Sequence, residues 1–215
     1  MPSKPFNVLS NTLKETIERN QSTLTYLNDV KNYGWEKWFQ VELAATLNKN
    51  GTAYIETPYS LDLRKKLPKN KREFSNCYVD IKYLIANQLR ERFNVVELKI
   101  AKKTSGLRSV LTDLNKIAAI RSKEWDIRSV CVVLIHGPVA SQSKFTSIAE
   151  SLKNHNLPNN AQLNVERSPI KNTDFHLVII GWQRGATAKM NKASYSTWLD
   201  QVSKIFKAKG VKQKH

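Results

Sequence analysis

Apolar residues recur every three or four positions in several parts of the chain, which is the spacing of one face of an amphipathic α-helix. In the first such part Ser10 is a suitable N-cap, and Leu13, Ile17 and Leu24 form most of an apolar stripe. Gly34 follows as a residue suited to a left-handed C-cap, and a second helix begins directly after it. The pattern predicts helices over residues 10–30, 35–47, 107–122, 143–154 and 194–207.

Other segments are short and apolar, or alternate between polar and apolar residues, which indicates β-strands. The run 130–135 is apolar throughout and predicts a central strand that is buried on both faces. The predicted strands cover residues 52–57, 77–85, 93–100, 130–135, 162–166 and 175–181. Because helices precede, interrupt and follow the strands, the order predicts one α/β domain with a mixed sheet between helices, an α/β/α sandwich.

The net charge of the chain indicates which class of partner it binds. Lys and Arg number 35 against 18 Asp and Glu in 215 residues, a formal net charge of +17 at pH 7. Such an excess favours a polyanion, and nucleic acid is the first expectation. No apolar run is long enough to span a bilayer, and the N-terminus lacks the apolar core of a signal peptide. With two cysteines that lack zinc-ligand spacing, the sequence predicts a cytoplasmic protein without a membrane partner.

Basic residues concentrate in the segments 64–72 and 102–103 and in the C-terminal tail, and the helix predicted over 107–122 adds further ones. They would contact phosphates, which gives affinity without sequence readout. For Lys116 an ordinary solvated helix face is the favoured alternative. The predicted nucleic-acid contacts are Arg64, Lys65, Lys66, Lys69, Lys71, Arg72, Lys102, Lys103, Arg108 and Lys116.

The two predicted strands 77–85 and 93–100 are close enough in sequence to form an antiparallel hairpin. A turn centred near residues 88–89 places Asp80 opposite Glu97, and opposed residues point to the same face. Side chains alternate along a strand, so Glu97 and Lys99 also share that face. Two carboxylates and an amine are therefore predicted to converge at one end of the sheet.

Such a cluster suits metal-dependent phosphodiester hydrolysis. Magnesium prefers hard oxygen ligands and is usually held by one or two carboxylates, which Asp80 and Glu97 can supply. A bound metal lowers the pKa of water and so produces a nucleophile, while Lys99 would position that water or neutralise developing charge. The alternative is a solvated hairpin face whose charges form salt bridges.

The order Asp80, then Glu97-Leu98-Lys99, resembles the PD-(D/E)XK nuclease superfamily, which includes restriction endonucleases and Holliday-junction resolvases. The helix over residues 34–43 is similar to the first helix of one branch, which contributes a glutamate to the metal site. The order of an acidic helix, an Asp strand, a Glu-x-Lys strand and a further helix matches residues 34–122. Val79 departs from the proline that commonly precedes the Asp in the superfamily.

Two glutamates of that helix are candidates for the third carboxylate. Glu42 lies on the stripe of Trp35, Trp38 and Phe39, so it is expected to point toward the sheet, where a metal would partner it. Glu36 is the second choice, because a carboxylate in the first helical turn is also favoured by the helix dipole alone.

The resemblance implies a restriction-endonuclease-like fold and a DNA endonuclease, of nicking or restriction type, in host defence or mobile-element conflict. Its catalytic residues would be Glu42, Asp80, Glu97 and Lys99, with Mg²⁺ or Mn²⁺ held by the three carboxylates. DNA is the expected substrate, RNA is the alternative, and a homodimer would cut both strands. A non-catalytic nucleic-acid-binding protein with a nuclease-like fold is the competing hypothesis. The predicted organisation is a helical extension over 1–33, the nuclease domain over 34–206 and a basic tail over 207–215.

Overall fold

The computed structural model describes residues 4–29, 35–59, 77–86, 92–101, 126–137, 147, 162–183, 200, 203–205 and 207–208. Its N-terminal part holds helices α1 (Lys4–Arg19), α2 (Gln21–Asp29) and α3 (Glu36–Leu47), the last followed by the 3₁₀ turn Asn48–Asn50. The strands are β1 (Gly51–Tyr59), β2 (Cys77–Ile85), β3 (Arg92–Ala101), β4 (Asp126–His136), β5 (Gln162–Pro169) and β6 (His176–Gln183).

The six strands form one sheet in the order β1-β2-β3-β4-β6-β5. Among the strands that the structure describes, β3 and β4 are parallel, and the other neighbouring pairs are antiparallel. The predicted mixed sheet of an α/β protein is thus confirmed. In the β2–β3 hairpin Ile81 pairs with Val96 and Tyr83 with Asn94, which is the predicted register.

Helices α1 and α3 share one apolar core with a single face of the sheet. Val130 through Ile135 on β4 are buried without exception, which confirms the predicted central strand. Burial of apolar area is the main favourable term in folding, so this layer fixes where α3 lies relative to β2 and β3. The buried core includes Phe6, Leu9, Leu13, Phe39, Leu43, Ile81, Leu98, Val133 and Ile179.

The N-terminal helix differs from its prediction in where it starts and where it breaks. Ser10 is not its N-cap but a buried residue within α1, whose hydroxyl donates to Glu166 Oε2 at 2.5 Å. Phe6 extends the apolar stripe by one turn, which accounts for the earlier start. The break lies at Asn20, between the end of α1 and the start of α2. The Asn20 side-chain amide donates to the Thr16 carbonyl oxygen, and such a local bond competes with the backbone hydrogen bonds of a helix.

The predicted helices over 107–122 and 143–154, and most of 194–207, lie outside the described residues. The predicted N-terminal extension contributes four buried residues of α1 to the same core as α3 and the sheet, namely Phe6, Leu9, Leu13 and Ile17. Among the helices that the structure describes, none combines the length and apolarity needed to cross a membrane.

Candidate functional site

Three charged side chains from different elements meet where β2 and β3 separate. Lys99 Nζ on β3 lies 3.6 Å from Glu36 Oε1 at the start of α3 and 4.0 Å from Asp80 Oδ2 on β2. Their side chains are largely shielded, with exposed fractions of 21% for Lys99, 34% for Glu36 and 16% for Asp80. The structure therefore brings together two carboxylates and one ammonium in a partly desolvated place, where charges interact more strongly than in water.

Backbone amides of β3 hold both carboxylates in position. Asp80 Oδ2 accepts a hydrogen bond from the Leu98 amide at 2.7 Å, and Glu36 Oε2 accepts one from the Ile100 amide at 3.1 Å. Successive alternate amides of a strand point the same way, toward the neighbouring strand. The two carboxylates thus take the place of carbonyl acceptors on β2, where the Ile81–Val96 pair is the last in the hairpin ladder.

Glu97 adds a third carboxylate beside this group. It lies two residues before Lys99 on β3, so both side chains leave the strand on the same face. Only 3% of Glu97 is exposed. Three carboxylates, those of Glu36, Asp80 and Glu97, therefore accompany Lys99 in this part of the described structure. Carboxylate oxygens are the hard ligands that Mg²⁺ prefers.

The position of the third glutamate differs from the preferred prediction. Glu42 contacts α1 and not the sheet, because its Oε2 accepts from Arg19 Nη2 at 2.9 Å and from Asn20 Nδ2 at 3.2 Å. The buried stripe of α3 passes through Phe39 and Leu43, while Ala45, about one turn after Glu42 on the same side of the helix, is exposed. Glu36, the second choice, is the glutamate that lies next to Lys99.

The carboxylates around Lys99 are a donor set of the kind that magnesium uses. No group of three or more His, Cys, Asp and Glu side chains within the described ranges is arranged to hold a metal ion. Magnesium in phosphoryl-transfer sites, however, is usually held by one or two carboxylates together with water and substrate phosphate. Glu36 and Asp80 provide two carboxylates, so the residues present fit that mode of binding.

The predicted phosphate contacts fall in the segments 60–76 and 102–125, which lie outside the described residues. These contacts are Arg64, Lys65, Lys66, Lys69, Lys71, Arg72, Lys102, Lys103, Arg108 and Lys116.

A histidine pair, which was not predicted, lies on the other side of β3. His136 at the end of β4 and His176 at the start of β6 are cross-strand partners, and their rings stack with centroids 5.4 Å apart at 13°. His136 is fully buried, and this burial, with smaller contributions from His176 and Arg167, lowers its pKa to about 4. Because the two strands are distant in sequence, only their antiparallel register could have revealed the pair.

Comparison with known proteins gives no family for the chain. No protein-family model matches it. A search of curated proteins likewise finds no significant match.

Proposed function

We propose that this protein is a metal-dependent endonuclease that hydrolyses phosphodiester bonds of DNA. One observation carries the proposal: Lys99 Nζ lies within 4.0 Å of both Glu36 and Asp80, beside buried Glu97. Side chains from α3, β2 and β3 thus form an acidic group around one lysine. The net charge of +17 supports a polyanionic substrate.

The order of elements also supports the proposal. An acidic helix, the antiparallel strands β1, β2 and β3, and then β4 parallel to β3 agree with a restriction-endonuclease-like arrangement. This likeness to the PD-(D/E)XK superfamily rests on residue order and on the Asp80 and Glu97-Leu98-Lys99 positions. We place the enzyme in nucleic-acid defence or mobile-element conflict on that likeness, with a homodimer as the simplest way to cut both strands.

Each residue of the cluster has a distinct proposed role. Asp80 and Glu36 would bind Mg²⁺ or Mn²⁺, while the Leu98 and Ile100 amides fix the two carboxylates. Glu97 would add negative charge that retains the cation. When bound, magnesium would polarise the phosphodiester and lower the pKa of a coordinated water. The Lys99 ammonium would donate a hydrogen bond to a phosphate oxygen and offset its growing negative charge.

A specific observation favours a second candidate function. Both carboxylates accept backbone hydrogen bonds and flank a lysine, and an arrangement of that kind also stabilises a strand end without any chemistry. In this case the protein would bind nucleic acid through its positive charge and would not cut it. The two candidates predict different effects for a substitution that removes a carboxylate charge but keeps the hydrogen bond. Cleavage is lost if the site is catalytic, and nothing but structure is affected if it is not.

Cleavage of supercoiled plasmid tests the proposal. Wild-type protein is incubated with Mg²⁺, with Mn²⁺ or with EDTA, beside the variants Glu36→Gln, Asp80→Asn and Lys99→Gln. Glu42→Gln is the matched control, since it changes the same residue type on the same helix at the contact with α1. Circular dichroism and thermal unfolding establish that each variant is folded.

We expect cleavage with either metal, none with EDTA, and a loss of about 100-fold or more in the three site variants. Glu42→Gln should cleave at close to the wild-type rate. Cleavage that survives in both Asp80→Asn and Lys99→Gln would refute the site. A folded wild-type protein that binds DNA in a salt-dependent way and cuts with neither metal would establish the non-catalytic candidate.

A further inference from the structure

The sheet face that carries Asp80 also carries exposed aromatic side chains. On β2 the odd-numbered residues Val79, Ile81 and Tyr83 are buried, so the even-numbered residues face away from the core that α1 and α3 cover. Tyr78 belongs to this second set and is 49% exposed. A large aromatic side chain is therefore presented to solvent two residues from Asp80.

A second tyrosine lies on the same face of the adjacent strand. Tyr54 on β1 pairs with Lys82 on β2 and is 47% exposed. Directly opposed residues point to the same side of a sheet, so Tyr54, Lys82 and Asp80 share one face. Exposed aromatic residues scattered singly need no explanation, but these two lie on neighbouring strands beside the acidic cluster.

Lys82 links the aromatic residues into one surface. Its Nζ lies 3.9 Å from the centre of the Phe93 ring on β3 and 5.6 Å from the centre of the Tyr54 ring. Both distances lie within the range of cation–π attraction. We call Tyr54, Tyr78, Lys82 and Phe93 the tyrosine platform. It presents two half-exposed rings and an ammonium held between rings.

The platform lies on both sides of the proposed reaction centre. Tyr78 precedes Asp80 by two residues and Lys82 follows it by two, which is about 7 Å in each direction along the strand. A polynucleotide crossing Asp80 would thus meet a ring before the cluster and a cation with further rings after it. Aromatic side chains that alternate with positive charge are typical of surfaces that bind single strands.

We propose that the tyrosine platform binds single-stranded nucleic acid, with bases stacked on Tyr54 and Tyr78 and a phosphate on Lys82. The net charge of +17 complements such a strand. In a duplex the base faces are already stacked on each other, whereas an unpaired strand offers them to a protein ring. The inference rests on the proposed function in one respect, since it assigns unpaired stretches of nucleic acid, such as those that open in a negatively supercoiled plasmid, as the part of the substrate that this site engages.

Binding in EDTA tests the platform without any cleavage. Fluorescence anisotropy is measured with labelled oligo(dT), with labelled oligo(U) and with a blunt DNA duplex of equal length. The variants are Tyr54→Ala, Tyr78→Ala, their double variant and the conservative pair Tyr54→Phe and Tyr78→Phe. Tyr26→Ala is the matched control, because Tyr26 on α2 is 64% exposed and belongs to another part of the chain.

We expect the wild type to bind the single strands more tightly than the duplex, and each alanine variant to weaken that binding by about tenfold. The phenylalanine variants and Tyr26→Ala should bind like the wild type. Lys82→Gln should reduce the salt dependence by about one phosphate contact. The oligo(dT) and oligo(U) arms determine whether the strand is DNA or RNA.

Unchanged single-strand binding in the double alanine variant, or equal losses on duplex and single strand, would overturn the inference. The inference would also be overturned if the double alanine variant changed the sedimentation coefficient, and thus the oligomeric state, but not the binding of single strands. That result would assign the face to contact with a second copy of the chain. The proposed nuclease activity fails separately. A wild type that binds single strands through Tyr54 and Tyr78 but cuts no DNA with either metal retains the platform and loses the enzyme.

Discussion

Asp80 Oδ2 lies 2.7 Å from the amide nitrogen of Leu98, so a side chain of β2 binds the backbone of β3 just beyond their last paired residues. Glu36 makes an equivalent contact two residues further along β3, where its Oε2 accepts a hydrogen bond from the Ile100 amide. The same two carboxylates are the proposed metal ligands. Each carboxylate therefore combines an observed structural contact with a proposed catalytic role, and substitutions that remove only one of the two can separate them.

Asp80→Ala and Asp80→Asn make that separation. Alanine removes the acceptor of the partly buried Leu98 amide, and the expected loss in the free energy of unfolding is about 1–3 kcal/mol. Asparagine removes the charge but keeps an oxygen acceptor, so it should be more stable than the alanine variant. Urea unfolding followed by tryptophan fluorescence measures both. Equal stability of the two variants would show that the Leu98 contact contributes nothing.

The contact between Arg19 and Glu42 should couple α1 to α3. The two charges lie 2.9 Å apart with exposed fractions of 39% and 28%, so solvent screening keeps their interaction small. A double-mutant cycle with Arg19→Ala and Glu42→Ala is expected to give a coupling energy of about 0.5–1 kcal/mol. The coupling should weaken in high salt. Additive effects of the two substitutions would show that the ion pair is without influence on stability.

Gly181 on β6 should not tolerate a side chain. A Cβ there would lie 2.6 Å from Phe6 Cδ2 and 3.1 Å from Cys131 Sγ, within a closely packed core. Gly181→Ala is therefore expected to lower the free energy of unfolding by about 1–3 kcal/mol and the melting temperature by several degrees.

Gly137→Ala is the matched control for that substitution. Its Cβ would meet the Phe175 ring at 3.6 Å, an ordinary contact distance. Thermal unfolding should show a change of at most about 0.5 kcal/mol in this variant. A Gly181→Ala protein as stable as Gly137→Ala would mean that Phe6 is not held against β6.

Stability should fall in mildly acidic solution because of His136. Its pKa is lowered to about 4, chiefly by burial, whereas an unfolded chain has a histidine pKa near 6.5. Between these values the unfolded chain binds more protons, so the free energy of unfolding decreases as the pH falls, by at most about 1.4 kcal/mol per pH unit. Stability that this group contributes is fully present above about pH 6.5 and lost toward pH 4.

His136→Asn isolates that contribution. Denaturant unfolding at about pH 7.5 and pH 5 should show the wild type losing roughly 2 kcal/mol more than the variant over this interval. His176 remains in both proteins, and its own pKa, lowered by burial and by Arg167, adds the same trend to each. Parallel pH profiles for wild type and variant would contradict a neutral buried His136.

Sequence patterns predicted the hairpin more accurately than the helix that completes the site. The alternation of Val79, Asp80 and Ile81 defines two faces of β2, and that period sets the register against β3. The third carboxylate was harder to predict, because the buried face of α3 continues from Phe39 to Leu43 and not to Glu42. The contact between Glu36 and the Ile100 amide joins residues 64 positions apart, so no local pattern encodes it.

The start of α1 and the histidine pair were not predicted from the sequence pattern, for two different physical reasons. Phe6 carried a usable signal, since it continues the spacing of Leu9 and Leu13, but Ser10 looked like a cap when taken alone. Nothing near His136 in sequence indicates His176, because β5 lies between β4 and β6 in the chain and the pairing of β4 with β6 is set by the whole sheet. Local periodicity predicts helices and strands, whereas the pairing of strands distant in sequence determines which polar side chains come into contact.

The bond from Ser10 on α1 to Glu166 on β5 spans 156 positions of the chain. During synthesis α1 precedes β5 and β6, so its contacts with Glu166 and Gly181 form only after those strands have followed it. The part of its apolar stripe that packs with α3 can be covered earlier, whereas Phe6 is covered only once β6 is present. Because closing so long a segment is slow, we expect the N-terminal end of α1 to dock late in folding.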